Sequence, residues 1–556
     1  MVDQSFKLCF FFWRRFKLRA VEVPDDIREV FSHYSENGAM NVDQLHEFLR
    51  EVQGEVNATR ENAQDILNKL KHHVHMLQHP KEFYLESFFR YLLGDDNVAL
   101  REPGKVYHDM NAPLAHYFVF TGHNSYLTGN QFCSKCSVTP IIKALKNGVR
   151  VIELDLWPGG NDVVVRHGGT VTRSVKLVKC LRAIKENAFH ASEYPVIITF
   201  EDHLNSILRI KVAKMVTETF GHMLFCPRSD LVEFPSPEFL KWKILISTKQ
   251  PGAEGLLLDP LEIWISGEEN ALEDDETEDK APPEYKQIIA IHAGKLTGIV
   301  TEDLCMCNDT SKVWRLSLSE DVLLQNVEEN NGKHFLRFSQ RNLLRIYPKG
   351  SRLFSSNFDP LTAWVHGAQM VAFNMQGNDE YLRLMQGMFR ANGGCGYIKK
   401  PEILLRCEAN CGAFDPQTET MPIKTTLKVK VYMGEGWHLD FHHTHFDTWS
   451  PPDLYAKIGI AGVSADNRHM VKTKTENDQW APVWNAEFEF PLRVPELAFL
   501  VIQVHDEDPP LQGRDFAGQT CLPISELRTG IRSVPLYDKK GNKYRFVKLL
   551  LQFRFV

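Results

Sequence analysis

Three apolar, β-rich runs in this chain end in side chains that could bind a metal ion or take part in acid–base chemistry. The runs are YFVFT, VRVIELDLW and PVIITFED, and the polar residues at or just after their ends are His123, Asn124, Glu153, Asp155, Glu201 and Asp202. Carboxylate and amide oxygens suit a hard divalent cation, and a nearby histidine suits acid–base or electrostatic work. The spacing therefore predicts a cation site with His123 beside it.

The pattern of elements that position these residues predicts a barrel. A β-branched run that ends in polar residues is how a parallel barrel delivers functional groups to the carboxyl ends of its strands. The chain has eight candidate strands in two groups of four, separated by helical or loop segments. The strands are HYFVFT, VRVIELDLW, VIITFE and KILIST in the first group, and QIIAIHA, VWRLSLS, LLRIY and MVAFNM in the second. This alternation predicts a (β/α)8 TIM-like barrel split into two halves.

An acidic segment divides the two groups of strands. It reads EENALEDDETED over Glu268–Asp279 and is followed by Ala281, Pro282 and Pro283. Such a segment cannot bury a core, so we expect a mobile linker. It is either a solvated loop or a regulatory element that repels an anionic membrane until it is displaced.

The region before the barrel is predicted to be helical. DDIREVFSHYSENGAMNVDQLHEFLREV has the outline of an EF-hand, with Gly38 at the turn. Counting from that glycine places His33 at the first ligand position and Gln44 at the last, where a calcium loop needs Asp and a bidentate Glu. We therefore expect a structural lobe that docks against the next domain and binds no ion.

The first residues, KLCFFFWRRFKLR, combine aromatic and basic side chains. They lack the long apolar core and small-residue cleavage site of a secretory signal, so export is not expected. The segment either folds onto the body of the protein or lies at an anionic membrane surface, where Cys9 could be acylated.

The last part of the chain is predicted to be an antiparallel β-sandwich. Its strands are LKVKVYM, LYAKIGI, NAEFEFPL, LAFLVIQVHDED and YRFVKLLLQF. This pattern resembles a C2 domain, and the candidate calcium ligands lie in two loops at Asp447, Asp453, Asp506, Asp508 and Asp515.

Composition excludes some classes of function. The net charge of −7 argues against a nucleic-acid partner. No apolar run approaches the length of a membrane span. The 11 cysteines include a CxxC at Cys133 and Cys136 and a close pair at Cys305 and Cys307, but no second pair completes a zinc site, so reduced thiols are expected.

Several motifs together resemble one family, the phosphoinositide-specific phospholipases C. They are GHNSYLTGNQ, VIELDLW, RHGGT, PVIITFEDH, LRIYPKG, SSNFDP and FRANGGCGY, in the order of the X and Y halves of that barrel. The resemblance covers nearly the whole chain. An EF-like lobe followed directly by the barrel is similar to the plant form.

The resemblance implies a reaction and a set of site residues. The reaction is calcium-dependent cleavage of phosphatidylinositol 4,5-bisphosphate to diacylglycerol and inositol 1,4,5-trisphosphate. The implied calcium ligands are Asn124, Glu153, Asp155 and Glu201. His123 would stabilise the charged phosphorus, His167 would be the general acid, and Glu153 or Glu201 would be the base. The residues implied to contact the substrate are Lys241, Lys243, Ser317, Arg345 and Tyr347.

These expectations define a domain plan and a location. We expect a cytoplasmic monomer that is recruited to the plasma membrane as a peripheral protein and binds phosphoinositide lipids and anionic membrane. The predicted parts are an arm (1–24), a degenerate EF-hand-like lobe (25–106), an X half-barrel (107–252), an acidic linker (253–284), a Y half-barrel (285–405) and a C2 domain (406–556).

Two alternatives remain at this stage. Phe358 replaces a tyrosine that is usual in the family, and HGGTVT replaces a more usual HGxTLT, so a weak or inactive relative that acts as a calcium- and phospholipid-binding adaptor is possible. A glycerophosphodiester phosphodiesterase is also a metal-dependent barrel. However, no HRG tripeptide opens the first strand, and the C2-like part fits that family poorly.

Overall fold

The structure is a computed structural model, and it divides the chain into two compact units, Met1–Arg101 with Glu419–Val556, and Glu102–Thr418. The residues described are 2–9, 12–18, 22–73, 83–101, 104–249, 282–295, 312–406, 414–415, 421–441, 445–446, 450–507 and 515–556. The acidic segment Glu268–Asp279 and the residues Cys305, Cys307, Asp447 and Asp508 lie outside these ranges, so the predictions made for them stay predictions.

The unit Glu102–Thr418 contains a closed barrel of eight parallel strands. The strands are β1 (Thr121–Gly122), β2 (Val151–Gly159), β3 (Val196–Asp202), β4 (Ile244–Thr248), β5 (Ile289–Lys295), β6 (Arg315–Ser319), β7 (Leu343–Tyr347) and β8 (Met370–Phe373). β8 pairs with β1, which closes the sheet. The predicted TIM-like barrel and all eight predicted strands are confirmed.

The first predicted strand serves two sheets. Its Tyr117–Val119 part pairs antiparallel with Tyr397–Lys399, and only Thr121–Gly122 joins the barrel. The β-branched runs are buried on both faces, as in Val196–Ile198, because helices cover the outside of a parallel barrel. The helices of this unit are Val138–Lys146, Leu177–Asn187, Ser206–Phe220, Pro283–Ile288, Glu320–Glu328, Gly332–Ser339, Pro360–Val365, Glu380–Phe389 and Glu402–Leu405.

Short polar caps begin the helices that follow the strands. The side chain of Asn205 accepts from the Leu208 amide, and the helix Ser206–Phe220 begins four residues after the last residue of β3. Ser319 caps the helix after β6 in the same way, through the Val322 amide. Each cap begins a helix within a few residues of the end of a strand. The last residues of these strands therefore lie at the mouth of the barrel.

β2 continues into an antiparallel excursion beyond the barrel. Its last residues pair with Asp162–Val165, which pairs in turn with Val175–Lys176. The connection between these two short strands carries His167.

In the other unit, the predicted helical lobe is confirmed. Its helices are Asp25–His33, Val42–Glu51, Arg60–His73 and Leu85–Leu92, and the short strands Ala39–Met40 and Phe83–Tyr84 pair antiparallel. Gly38 has a φ of +76° in the turn that the sequence assigned to it. Before the lobe, Val2–Cys9 and Phe12–Leu18 form an antiparallel hairpin.

The predicted antiparallel sandwich is also confirmed. Its strands are β9 (Thr425–Glu435), β10 (Leu454–Ala461), β11 (Arg468–Lys472), β12 (Val483–Leu492), β13 (Phe499–Asp506), β14 (Phe516–Pro523), β15 (Gly530–Tyr537) and β16 (Lys543–Phe555), with a short helix at Trp437–Asp440. A single pair, Gln519 with Tyr537, links two groups of four strands that share one apolar core.

The helical lobe packs against this sandwich. Gln53 donates to the Ile531 carbonyl at 2.9 Å and accepts from its amide at 2.6 Å. Glu55 forms ion pairs with Arg528 and Arg532 at the same contact. Apolar side chains of the sandwich complete the core of the lobe, so the lobe and the sandwich form one compact unit.

None of the described helices is both long and apolar enough to cross a membrane. The cysteines in the described ranges are free thiols, and Cys133 and Cys136 are among them.

Candidate active site

A cleft of about 680 Å³ opens at the carboxyl ends of the barrel strands. Residues that lie on, or directly after, each of the eight strands line it, and the connection after β2 adds His167. Of the predicted site residues, those that line it are His123, Asn124, Glu153, His167, Glu201, Ser317, Arg345 and Tyr347.

The oxygen-bearing side chains are linked to one another. Asn124 has a φ of +43°, a conformation that asparagine tolerates, and its amide donates to Glu153 Oε2 at 3.2 Å. Tyr126 Oη lies at hydrogen-bond distance from two acceptors, Asn124 Oδ1 (3.1 Å) and Asp155 Oδ2 (2.7 Å). Glu201 lies on the neighbouring strand at the level of Asp155.

Glu201 is held at the open side of the cleft. Its Oε1 lies 3.2 Å from Nε2 of His203, and the His203 ring stacks on Trp157 with a centroid distance of 4.0 Å. This hydrogen bond lowers the pKa of Glu201, although burial opposes it. The Glu201 side chain is 58% exposed, so it is the most accessible carboxylate of the set.

Both histidines have a fixed orientation. His123 Nδ1 donates to the side-chain oxygen of Asn374 at 2.9 Å, which leaves Nε2 3.9 Å from Glu153 Oε2. His167 Nδ1 donates to the backbone carbonyl of Gln131 at 2.8 Å, which leaves its Nε2 for the cleft. Burial lowers the pKa of His123, and the charge of Glu153 opposes that shift.

Gln131 connects these residues, and sequence reasoning missed it. Its side chain accepts from Asn124 and donates to Asn374 Oδ1, which also accepts from His123. Its backbone carbonyl accepts from His167. The only sequence signal was its place at the end of GHNSYLTGNQ, because a loop glutamine has no pattern that predicts such contacts.

The carboxylates fit a divalent cation. Asp155 Oδ1 is buried and has no hydrogen-bond partner. Burial raises the pKa of Asp155 well above its usual range, and the charges of Glu201 and Glu153 raise it further. A bound cation would relieve all three effects. No three acidic, histidine or cysteine side chains in the described ranges are already gathered as a formed metal site.

The opposite wall of the cleft is basic. Arg345 donates to Glu153 Oε1 through Nη2, and its Nε is buried with no hydrogen-bond partner. Ser317 is the register partner of Arg345 on β6, and its Oγ also has no hydrogen-bond partner. Arg315 and Lys249 line the same cleft. Such a wall suits a polyanionic ligand.

The structure does not bring Lys241 and Lys243 to the cleft. Both precede β4 and therefore lie at its amino end, away from the mouth of the barrel. Lys241 Nζ pairs with Glu193 and Glu238, and Lys243 donates to the His222 carbonyl at 2.9 Å. Lys249, directly after β4, is the lysine that lines the cleft.

The predicted calcium ligands Asp453, Asp506 and Asp515 lie together at one end of the sandwich. The Asp453 amide donates to Asp506 Oδ1 at 2.6 Å, and the Asp506 amide donates to the Asp515 carbonyl at 2.9 Å. Asp453 Oδ1 also accepts from the Asp478 amide at 2.7 Å.

Exposed apolar side chains border the active-site cleft. The Gln131 amide donates to the Leu353 carbonyl, and the Val171 amide donates to the Phe132 carbonyl. The side chains of Phe132, Val171, Leu353 and Phe354 are exposed, Phe354 to 89%. We call these four residues the apolar rim. Apolar patches of this kind mark contact surfaces.

Two oriented histidines and a cluster of oxygen ligands that face a basic wall, at the mouth of a parallel barrel, are typical of metal-assisted phosphodiesterases. Family profiles match four parts of the chain. They are the efhand-like region of phosphoinositide-specific phospholipase C (19–102), the X domain (110–250) and Y domain (299–403) of phosphatidylinositol-specific phospholipase C, and a C2 domain (425–538).

Relatives that match over nearly the whole of this chain carry phosphoinositide phospholipase C or phosphodiesterase names. Phosphoinositide phospholipase C 2 of Arabidopsis thaliana is 53% identical over 100% of both chains. The 1-phosphatidylinositol 4,5-bisphosphate phosphodiesterase delta-3-A of Danio rerio is 33% identical over 97% of this chain and 71% of its own length. The chain belongs to the phosphoinositide phospholipase C family and is a phosphoinositide phospholipase C by enzyme class.

A solved structure shares the fold. The crystal structure of L. pealei PLC21 superimposes with a TM-score of 0.78 and 26% identity, covering 96% of this chain and 68% of that one. The barrel and the C2-type sandwich are therefore those of a known phospholipase C architecture.

Proposed function

We propose that this protein is a calcium-dependent phosphodiesterase that cleaves phosphatidylinositol 4,5-bisphosphate to diacylglycerol and inositol 1,4,5-trisphosphate. The Danio rerio relative is named for hydrolysis of this lipid, which supports this substrate. The observation that carries the proposal is the single cleft in which His123, His167 and the carboxylates face the guanidinium group of Arg345.

The calcium ligands in this proposal are Asn124, Glu153, Asp155 and Glu201. Calcium bound there would lower the pKa of the inositol 2-hydroxyl and offset charge that builds on the phosphate. The unpartnered Asp155 Oδ1 and the raised pKa of Asp155 support a cation at this position.

In the first step, Glu153 or Glu201 takes the proton of the 2-hydroxyl as its oxygen attacks phosphorus. His123 stabilises the charge on the phosphoryl oxygens from Nε2. His167 gives a proton from Nε2 to the diacylglycerol oxygen as the P–O bond breaks. Its Nδ1 hydrogen bond to Gln131 supports this role, because that bond fixes which nitrogen faces the cleft.

The first step leaves a cyclic 1,2-phosphodiester of inositol. In the second step, His167 accepts a proton from water, and that water attacks the phosphorus. The bond from phosphorus to the 2-oxygen breaks, and the carboxylate returns its proton to that oxygen. The same groups therefore serve both steps with their roles reversed.

Binding of the headgroup falls to the basic wall. Ser317, Arg345 and Tyr347 are the predicted contacts, and Lys249 replaces Lys241 and Lys243 in our assignment. Hydrogen bonds from these side chains to the oxygens of the ring phosphates would select a polyphosphorylated lipid.

Membrane contact would come from two parts of the chain. The aspartates of the sandwich would bind calcium that bridges to anionic lipid, with Asp453, Asp506 and Asp515 as ligands beside Asp447 and Asp508. The apolar rim would insert beside the cleft. On this basis we propose a monomeric, peripheral protein that is recruited from the cytoplasm to the plasma membrane.

The test is release of inositol phosphates from vesicles that contain phosphatidylinositol 4,5-bisphosphate, across a calcium titration. Wild type is expected to release them only with calcium. His123→Ala and Glu201→Ala are expected to reduce release to the level seen with a chelator. Glu186→Ala, an exposed carboxylate on an outer helix, is the matched control and is expected to behave as wild type.

Absence of release from wild type, with calcium-dependent vesicle binding intact, would contradict the lipase proposal. It would favour the adaptor function, which the altered HGGTVT loop and Phe358 allow. Phe358 is buried and packs against Phe373 at a centroid distance of 5.3 Å, and its ring offers no hydroxyl for a polar contact.

Phe354→Asp is expected to lower turnover on vesicles by about 10- to 30-fold, because it removes the burial of one aromatic side chain in lipid. Hydrolysis of soluble inositol 1,2-cyclic phosphate is expected to change little. Phe239→Asp is the control, since Phe239 is 69% exposed but lies before β4, at the amino end of the barrel. Equal losses on the vesicle and soluble substrates would contradict a membrane role for the apolar rim.

A further inference from the structure

The basic wall contains more donors than the protein satisfies. Arg315 Nε and Nη1, Ser317 Oγ and Arg345 Nε are all buried without a hydrogen-bond partner. They belong to neighbouring strands, since Ser317 pairs in register with Arg345 and Arg315 lies two residues before Ser317 on the same face of β6. Buried donors are almost always paired, so an unpaired group of four calls for a ligand.

Arg315 is not among the substrate contacts that the sequence predicted. It is 5% exposed and lines the cleft. Burial, followed by the charge of Arg345, lowers the pKa of Arg315 to about 9, and the charge of Glu153 only partly opposes this. The charged form is therefore held at a cost that a bound anion would relieve.

We propose that Arg315 is a specificity-determining residue that binds a ring phosphate of the headgroup together with Arg345 and Ser317. A phosphate supplies three acceptor oxygens, and a guanidinium offers the planar pair of donors that matches two of them. The inference rests on the proposed function, and it adds a cation to the cleft where Lys241 and Lys243 are absent.

The experiment compares turnover of phosphatidylinositol, its 4-phosphate and its 4,5-bisphosphate in vesicles by wild type, Arg315→Lys and Arg315→Met. Arg315→Met is expected to lower kcat/KM on the bisphosphate by about 10- to 100-fold and to leave phosphatidylinositol within about 2-fold. Arg315→Lys is expected to fall between them, because a lysine keeps the charge but loses the paired donors. The matched control is Arg383→Met, a half-buried arginine on the helix Glu380–Phe389 outside the cleft, and it should change no ratio.

Two outcomes would overturn the inference. An equal loss on all three lipids would show that Arg315 acts by supporting Glu153, and no loss on any lipid would show that it does not contact the headgroup.

If wild type releases nothing from any lipid, the proposed function fails, and the inference is then decided by binding of inositol 1,4,5-trisphosphate in calorimetry. A 10- to 100-fold weaker Kd for Arg315→Met would support it. An unchanged Kd, or no binding by wild type, would overturn it.

Discussion

His167→Ala is expected to lower the rate of phosphatidylinositol 4,5-bisphosphate cleavage by about 10²- to 10⁴-fold. The hydrogen bond from Nδ1 to the Gln131 carbonyl leaves only Nε2 to deliver a proton to the diacylglycerol oxygen. An alkoxide is a poor leaving group, so loss of that proton should affect the chemical step rather than lipid binding. The expected pattern is a large fall in kcat with little change in KM.

A change of leaving group tests this role. An analogue that carries p-nitrophenol in place of diacylglycerol needs no protonation to leave, so His167→Ala should lose less than about 10-fold on it, which is less than a general acid supplies. His123→Ala should lose on both substrates, because it stabilises charge on the phosphoryl oxygens in either case. His190→Ala, an exposed histidine at the end of an outer helix, is the control. If His167→Ala loses equally on both substrates, His167 is not the acid.

The sequence allowed the barrel to be predicted strand by strand. VIITFE and LLRIY begin with consecutive apolar residues, a pattern that is typical of a strand covered on both sides. The chemistry was also predictable where polar residues follow a strand. Asn124, Asp155 and Glu201 come from three separate runs, and the parallel pairing of these neighbouring strands brings them together.

The lysines show where this reasoning fails. Lys241 and Lys243 precede β4, and a strand of five residues spans about 16 Å, so their side chains lie at the wrong end of the barrel. The rule that functional groups follow parallel strands would have selected Lys249. Arg315 is the first residue of its strand, so the same rule does not select it. Its side chain nevertheless lines the cleft.

Glu153→Gln is expected to destabilise the protein by about 3–5 kcal/mol, and Arg345→Met is expected to cost less than half as much. Glu153 accepts a hydrogen bond from Arg345 and interacts electrostatically with Arg315. Removing its charge leaves two buried guanidinium groups that repel each other. Removing Arg345 leaves Glu153 opposite Arg315, which still compensates the charge of Glu153.

Urea denaturation in the presence of a calcium chelator measures the difference, with the Glu153→Gln/Arg345→Met double variant as the decisive sample. The second substitution is expected to stabilise the Glu153→Gln protein, because it removes the repulsion between the guanidinium groups of Arg345 and Arg315. All three variants are expected to lose lipase activity, whatever their stability. Simple addition of the two single effects would mean that Arg345 and Arg315 do not share Glu153. The barrel therefore depends on Glu153 twice, once to hold its basic wall together and once, in the proposed reaction, to act on the substrate that this wall binds.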